Sequence, residues 1–154
     1  MMMKTLILGL GSPILSDDGV GLVIARALKG KIPQADVMTT PLVGLNLLDL
    51  FLDYDKLFLI DALVSKNPHP GELKKLEPGE GTVHLFTSHG LDFFYLLDLG
   101  KQLGFNLPEV GAIYGIEIEA PVSFGEALSP ALFQKLPSLI RFITKDIEDS
   151  LQSA

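Results

Sequence analysis

Short runs of continuous apolar residues alternate along the first third of this chain with stretches whose apolar positions recur at helical spacing, which predicts a βαβαβ order. Thr5 to Leu8 is apolar or β-branched throughout and ends at Gly9. That is the pattern of a strand buried on both faces in a parallel sheet. After the loop from Gly9 to Asp18, Val20, Val23, Ile24, Ala27 and Leu28 fall on one helical stripe. Ser16, Asp17 or Asp18 can cap this helix. Ala35 to Thr40 reads as a second strand, Gly44 to Leu52 as a helix, and Lys56 to Ile60 as a third strand that stops before Asp61.

Beyond this unit, Asn67 to Gly71 is a proline-rich turn, and Glu72 to Leu76 is expected to return as a short antiparallel edge strand. No helix fits between it and the third strand, so the two cannot be parallel neighbours. A helix is predicted from about His89 to Leu103, capped by Thr87 or Ser88 and ended by Gly104. Glu109 to Ile118 gives the fifth strand. Ser129-Pro130 opens a last helix that Pro137 interrupts or restarts, with Ile140, Ile143, Ile147 and Leu151 on one stripe. The resulting fold class is a three-layer α/β/α sandwich around a mixed five-stranded sheet, mostly parallel with one antiparallel strand, of the phosphorylase/hydrolase-like kind.

Composition supports one soluble domain over residues 1–154, with 47% hydrophobic and 20% charged residues. Nineteen acidic against twelve basic residues leave a net charge of −7 and no basic run, which argues against nucleic acid and anionic membrane surfaces as partners. No apolar stretch reaches the roughly 20 residues of a membrane span. The apolar N-terminal stretch is too short for a signal peptide, so a cytoplasmic location is expected; the chain is also expected to be a monomer. With no cysteine in the sequence, thiol chemistry is excluded and any metal must take oxygen and nitrogen ligands. His69, His84 and His89 are the imidazoles on offer.

Sites in open parallel sheets lie beyond the carboxyl ends of strands, which selects the loop Gly9 to Gly21, Asp61, and the segment Thr87-Ser88-His89-Gly90. Each polar residue there also has a plain structural reading: Asp17 and Asp18 as helix caps, Asp61 as a turn residue, His89 as a helix-start histidine. Together, Asp18, Asp61 and His89 would make a two-carboxylate, one-imidazole site for a divalent first-row metal such as nickel or zinc. A dinucleotide site is disfavoured because Ile14 stands where the third fingerprint glycine belongs and two carboxylates guard the helix start. A serine hydrolase lacks its Gly-x-Ser-x-Gly elbow. Glu117 and Glu119 read as solvent-facing strand positions, His69 and His84 as exposed loop residues, and Phe93, Phe94 and Tyr95 as helix packing.

The run Gly9-Leu10-Gly11-Ser12-Pro13-Ile14-Leu15-Ser16-Asp17-Asp18-Gly19-Val20-Gly21 resembles the opening signature of the hydrogenase maturation proteases. Leu59-Ile60-Asp61-Ala62, Pro70-Gly71-Glu72, Ser88-His89-Gly90-Leu91, Tyr114-Gly115-Ile116-Glu117 and Leu128-Ser129-Pro130 resemble later elements of that family, in the same order. The resemblance implies a nickel-dependent endopeptidase that removes a C-terminal extension from a nickel-iron hydrogenase large-subunit precursor after nickel insertion. The precursor is the implied partner and brings the nickel, so no permanent cofactor is expected. Asp18, Asp61 and His89 match the family's metal-contacting, catalytic positions. Asp17 is read first as a helix cap, and is the candidate for a residue that supports those three. Nickel would either activate a water or only dock the substrate.

Two departures stand out. Ser12 replaces the usual Asn, and Thr39-Thr40-Pro41-Leu42-Val43-Gly44 lacks a Gly-Gly-Thr-like run. A second reading is therefore a metal-sensing module that binds a hydrogenase precursor without cleaving it; a third is a nucleotide-binding α/β domain.

Overall fold

A computed structural model describes residues 3–42, 44–77, 80, 82, 83, 85, 93–119 and 124–153, with 44 and 45 in backbone only. Its strands are β1 (Thr5–Leu10), β2 (Ala35–Thr40), β3 (Lys56–Val64), β4 (Leu73–Lys75) and β5 (Glu109–Ile118). Its helices are α1 (Val20–Leu28), α2 (Leu48–Phe51), α3 (Phe93–Gln102) and α4 (Pro130–Gln152), and 3-10 turns at Ser16–Gly19 and Gly44–Leu47 lead into α1 and α2. The five strands form one sheet in the order β2-β1-β3-β5-β4. β1, β2, β3 and β5 pair in parallel, and β4 runs antiparallel on the outer edge of β5. The mixed sheet expected from the sequence is therefore present.

Period-two alternation explains how one sheet serves two cores. Ile7, Phe58, Ile60, Tyr114 and Ile116 point to one face, where Val20, Ile24 and Leu28 of α1 and Leu132, Leu139, Ile143 and Ile147 of α4 cover them. Leu6, Leu8, Leu57, Leu59 and Ile113 point to the other, against Leu47, Phe51, Phe93 and Leu97. The rings of Phe51 and Phe93 meet edge to face at 5.9 Å and join α2 to α3 there. Three layers follow, with helices on both faces of the sheet.

Several boundaries differ from the sequence reading. Gly9 does not end β1, because its missing side chain is a packing feature: a Cβ there would stand 2.4 Å from the Gly21 carbonyl oxygen and 2.5 Å from the Ala25 Cβ. Glycine inside a strand here marks close backbone approach rather than termination. Likewise β3 does not stop at Ile60. The longer β5 keeps it paired through Asp61↔Gly115 to Val64↔Ile118, so Asp61 is a strand residue and not the start of a turn. The Gly44 to Leu52 segment is a 3-10 turn followed by a short α-helix. Pro137 neither interrupts nor restarts α4, which is continuous. It stands on the exposed side of that helix, where the carbonyl four residues earlier can turn to water in place of the lost N–H. The caps predicted at Thr87 or Ser88 and the first residues of the third helix lie outside the described residues, as does His84. Among the aromatic trio, Phe93 is buried but Tyr95 is exposed.

α4 is fastened to the sheet by a polar contact as well as by packing. The buried Tyr114 hydroxyl donates to Asp146 Oδ2 at 2.6 Å, and Lys75 Nζ of β4 approaches the same oxygen at 2.9 Å. Burial raises the Tyr114 pKa well above its ordinary value, and the Asp146 bond and charge add to this. Burial pushes the Asp146 carboxyl up, but the hydrogen bonds from Tyr114 and Lys75 and the Lys75 charge outweigh it and hold it below 3.8.

Two outcomes follow. Gly21→Ala would place a Cβ 2.4 Å from the carbonyl oxygens of both Ile60 and Leu10, and urea unfolding should show a loss of about 1–3 kcal/mol from overpacking. The lowered Asp146 pKa means that its contribution is complete above the unfolded-state value and is lost as pH falls through the folded-state value. Acid titration of stability below pH 3.8 should therefore be less steep for Asp146→Asn than for the wild type, and equal slopes would contradict the contact's role.

Candidate active site

The order β2-β1-β3 places a topological switch between β1 and β3, since the chain leaves β1 toward β2 on one side and later returns as β3 on the other. Crevices for ligands open at such points, outside the carboxyl ends of the strands. Pairing of β1 with β3 ends at Gly9↔Ile60, so Asp61 is the first β3 residue past that ladder. The 3-10 turn Ser16–Gly19 packs against β3 at this end, and Gly21 sits over the carbonyls of Leu10 and Ile60. Asp18, in the turn that follows β1, and Asp61, in β3, therefore lie toward one rim of the sheet.

Asp61 is fully buried. Its Oδ1 accepts the Ala62 N–H at 2.8 Å, and its Oδ2 accepts the Thr82 hydroxyl at 2.5 Å. Thr82 is itself buried, and the Val83 N–H donates to the Ala62 carbonyl at 3.0 Å, which ties this segment along the end of β3. Asp18 is 5% exposed, and its Oδ2 accepts the Ser12 N–H at 2.9 Å across the folded first loop. Neutral donors of this kind fix a carboxylate's direction while leaving its charge in place, and a carboxylate oxygen can accept from more than one side.

Asp17 behaves differently. It is 9% exposed, and its Oδ1 accepts the Ser129 N–H at 2.7 Å, at the residue that caps α4. The expected cap of α1 by Ser16, Asp17 or Asp18 is not formed, since neither the 3-10 turn nor α1 has a side-chain cap bond. The intervening 3-10 turn shifts both carboxylates away from the α1 N-terminus and toward other partners. Asp17 thus faces the positive end of α4, and Asp18 turns back to the Ser12 N–H of its own loop. Ser16 occupies the left-handed region (φ 40°) and is held there by donating its N–H to the Gly125 carbonyl at 2.7 Å and its hydroxyl to the Ala127 carbonyl at 2.8 Å.

His89 lies outside the described residues, as does the motif Ser88-His89-Gly90-Leu91. Among the described residues no three His, Asp or Glu side chains are grouped to hold a metal ion. The exposed His69 is a loop residue as expected. Glu117 is half-buried rather than fully solvent-facing, and accepts from the Ser65 hydroxyl. Sequence reasoning missed Thr82 and Ser129, since a lone Thr in a glycine-rich segment and a cap serine carry no sign of the carboxylates that they meet. A nucleotide reading loses support, because the Ser12 N–H of the Gly-x-Gly loop, a donor available for phosphate, is taken by Asp18.

Comparison with known proteins points in one direction. No family model matches the chain. Over 81 residues it is 32% identical to the hydrogenase 2 maturation protease of Escherichia coli (strain K12), an alignment that takes in 51% of this chain and 49% of the relative. The chain thus matches about half the length of that curated relative. Its fold is similar to the E. coli hydrogenase maturating endopeptidase HybD, with a TM-score of 0.70 at 21% identity over 96% of this chain and 94% of that one. It is also similar to an endopeptidase from Escherichia coli (TM-score 0.73, 24% identity, 96% and 94% covered). A third such structure is the [NiFe] hydrogenase maturation protease HycI from Thermococcus kodakarensis KOD1 (TM-score 0.66, 18% identity, 95% and 93% covered). The resemblance read from the sequence motifs thus extends, as a fold, along nearly the whole chain.

Removing the carboxylate that links the first loop to α4 should be felt globally. Asp17→Ala is expected to lower unfolding free energy by about 1–2 kcal/mol in denaturant titration, while Glu148→Ala on the far part of α4 should leave it within about 0.5 kcal/mol.

Proposed function

We propose that this chain is an endopeptidase of hydrogenase maturation, which removes the C-terminal extension of a nickel-iron hydrogenase large-subunit precursor once nickel has been inserted. The observation that carries this reading is that Asp18 follows β1 and Asp61 lies in β3, on the two sides of one switch point, each oriented by neutral donors. Partial sequence identity to a hydrogenase 2 maturation protease supports it. So does the fold shared with proteins of that name.

On this reading the nickel arrives as part of the substrate. Two hard carboxylate ligands and the His89 imidazole suit a divalent first-row ion that still has open positions. Asp18 and Asp61 would complete the coordination of an ion held by the precursor, together with His89. That contact would test whether nickel is loaded and would hold the adjacent peptide bond in place, converting recognition into orientation. Asp17 is a scaffold residue in this scheme, occupied by the start of α4. Among the described residues no helix is long and apolar enough to cross a membrane. On the same reading the precursor is met in the cytoplasm, by a monomer.

Incubation of the full chain with nickel-loaded and nickel-free precursor tests this by mass spectrometry. The loaded precursor should lose its C-terminal peptide and the nickel-free one should not. Asp18→Asn, Asp61→Asn and His89→Ala should each slow cleavage by at least about 100-fold, the scale of a misplaced reacting group. Equal cleavage of both precursor forms would overturn the nickel role. Binding of the loaded precursor without any mass loss would instead identify a metal-sensing module.

A further inference from the structure

On the outer side of the loop that holds Asp18 lies a cleft of about 460 Å³, whose lining includes Ser12, Ile14, Leu22, Val23, Arg26 and Glu126. This volume lies within the roughly 300–1,000 Å³ of small-ligand clefts, so it admits a short segment and not a folded domain. Ile14 is 56% exposed and supplies apolar surface beside Leu22 and Val23. Arg26 and Glu126 are exposed, and neither belongs to the ion pairs found among the described residues, Lys74–Glu80 and Lys75–Asp146.

The cleft is built before any ligand arrives. Ile14 and Ser16 are tied to Gly125 by two backbone bonds, Gly125 N–H to the Ile14 carbonyl at 2.8 Å and Ser16 N–H to the Gly125 carbonyl at 2.7 Å. Two of its walls, the first loop and the segment leading into α4, are therefore one unit, which reduces the ordering cost of binding. Ser12 lines the cleft and also donates its N–H to Asp18 Oδ2. A ligand in the cleft would thus lie against the outer side of the turn that aims the candidate catalytic carboxylate.

The lining selects a ligand class. A phosphate or nucleotide would meet Glu126 and a net charge of −7, and a simple cation would meet Arg26. A purely apolar ligand would desolvate both charges without pairing either. A polypeptide segment with an apolar side chain between an acidic and a basic residue satisfies all three surfaces. We infer that this cleft is a docking subsite for the stretch of the hydrogenase precursor flanking the scissile bond, and that Arg26 and Glu126 set its sequence preference. This rests on the endopeptidase reading above.

Charge reversals test it. Arg26→Glu and Glu126→Lys change the net charge in opposite directions, so an effect of overall electrostatics would move them oppositely, whereas local recognition weakens both. With nickel-loaded precursor, each should raise KM by about tenfold or more with kcat little changed, and Lys29→Glu, outside the cleft, should match the wild type. Circular dichroism should show both variants folded. A photocrosslinking amino acid in place of Ile14 should capture precursor residues next to the cleavage point. Wild-type KM in both reversals, opposite shifts, or capture only of a distant segment would overturn the subsite. If the crosslinking variant captures precursor through position 14 while neither it nor the wild type cleaves, the cleft stands and the cleavage reading falls. If there is neither cleavage by the wild type nor capture by the variant, both fall.

Discussion

Helix α1 rests on the sheet at backbone contact distance, and the placement of everything at the candidate site depends on that contact. Gly9 in β1 and Gly21 in α1 face each other where side chains would overlap: a Cβ at Gly21 would reach 2.4 Å from the carbonyl oxygens of Leu10 and Ile60. With the helix this low, the nine residues between strand and helix cannot run straight across and must fold over the strand ends. Gly11 permits the fold, because a Cβ there would stand 2.5 Å from the Asp18 carbonyl oxygen. The carboxylate of Asp18 is consequently delivered beside β3 by main-chain packing and does not depend on a flexible loop finding its place. The same contact brings the 3-10 turn against β3, where Asp61 is already fixed in the strand ladder.

Three buried carboxylates at one end of a small acidic domain are electrostatically costly, and the structure handles them by separation and by neutral donors. Asp17 turns toward the start of α4, where the Ser129 N–H and the helix dipole favour a negative charge. Asp18 and Asp61 accept from the Ser12 and Ala62 N–H groups and from the Thr82 hydroxyl. Bonds from backbone amides and a hydroxyl fix the direction of each carboxylate.

Much of the fold was legible because the strands are apolar runs with sharp ends. β2 and β5 fall where the pattern put them, and the antiparallel edge strand followed from the lack of room for a crossover helix. The errors share a cause: local chemistry was read as a boundary where tertiary pairing decided otherwise. Asp61 ended an apolar run, but β5 supplied hydrogen-bond partners beyond it; Pro137 signalled a break, but its exposed position made the lost bond tolerable. At the site, Asp18 and Asp61 could be located from strand-end logic alone. Their partners could not, because Thr82 lies 21 residues from Asp61, and Ser129 lies 112 from Asp17. Contacts of that separation leave no trace in a single sequence.

The first loop has two working surfaces, and its strain explains why they act together. Ser16 is held in a left-handed conformation that costs a non-glycine residue of order 1 kcal/mol or more. It persists because its N–H and hydroxyl are both bound to the segment leading into α4. That segment also supplies Glu126 to the outer cleft and Ser129 to Asp17. Any displacement of the outer wall would therefore pull on Ser16, and through Ser16 on the two carboxylates that follow it in the chain. A rigid link of this length, two residues from strained serine to Asp18, makes occupancy of the cleft and the aim of the carboxylate a single mechanical problem. It gives a physical reason for the cleft and the crevice to recognise parts of the same substrate.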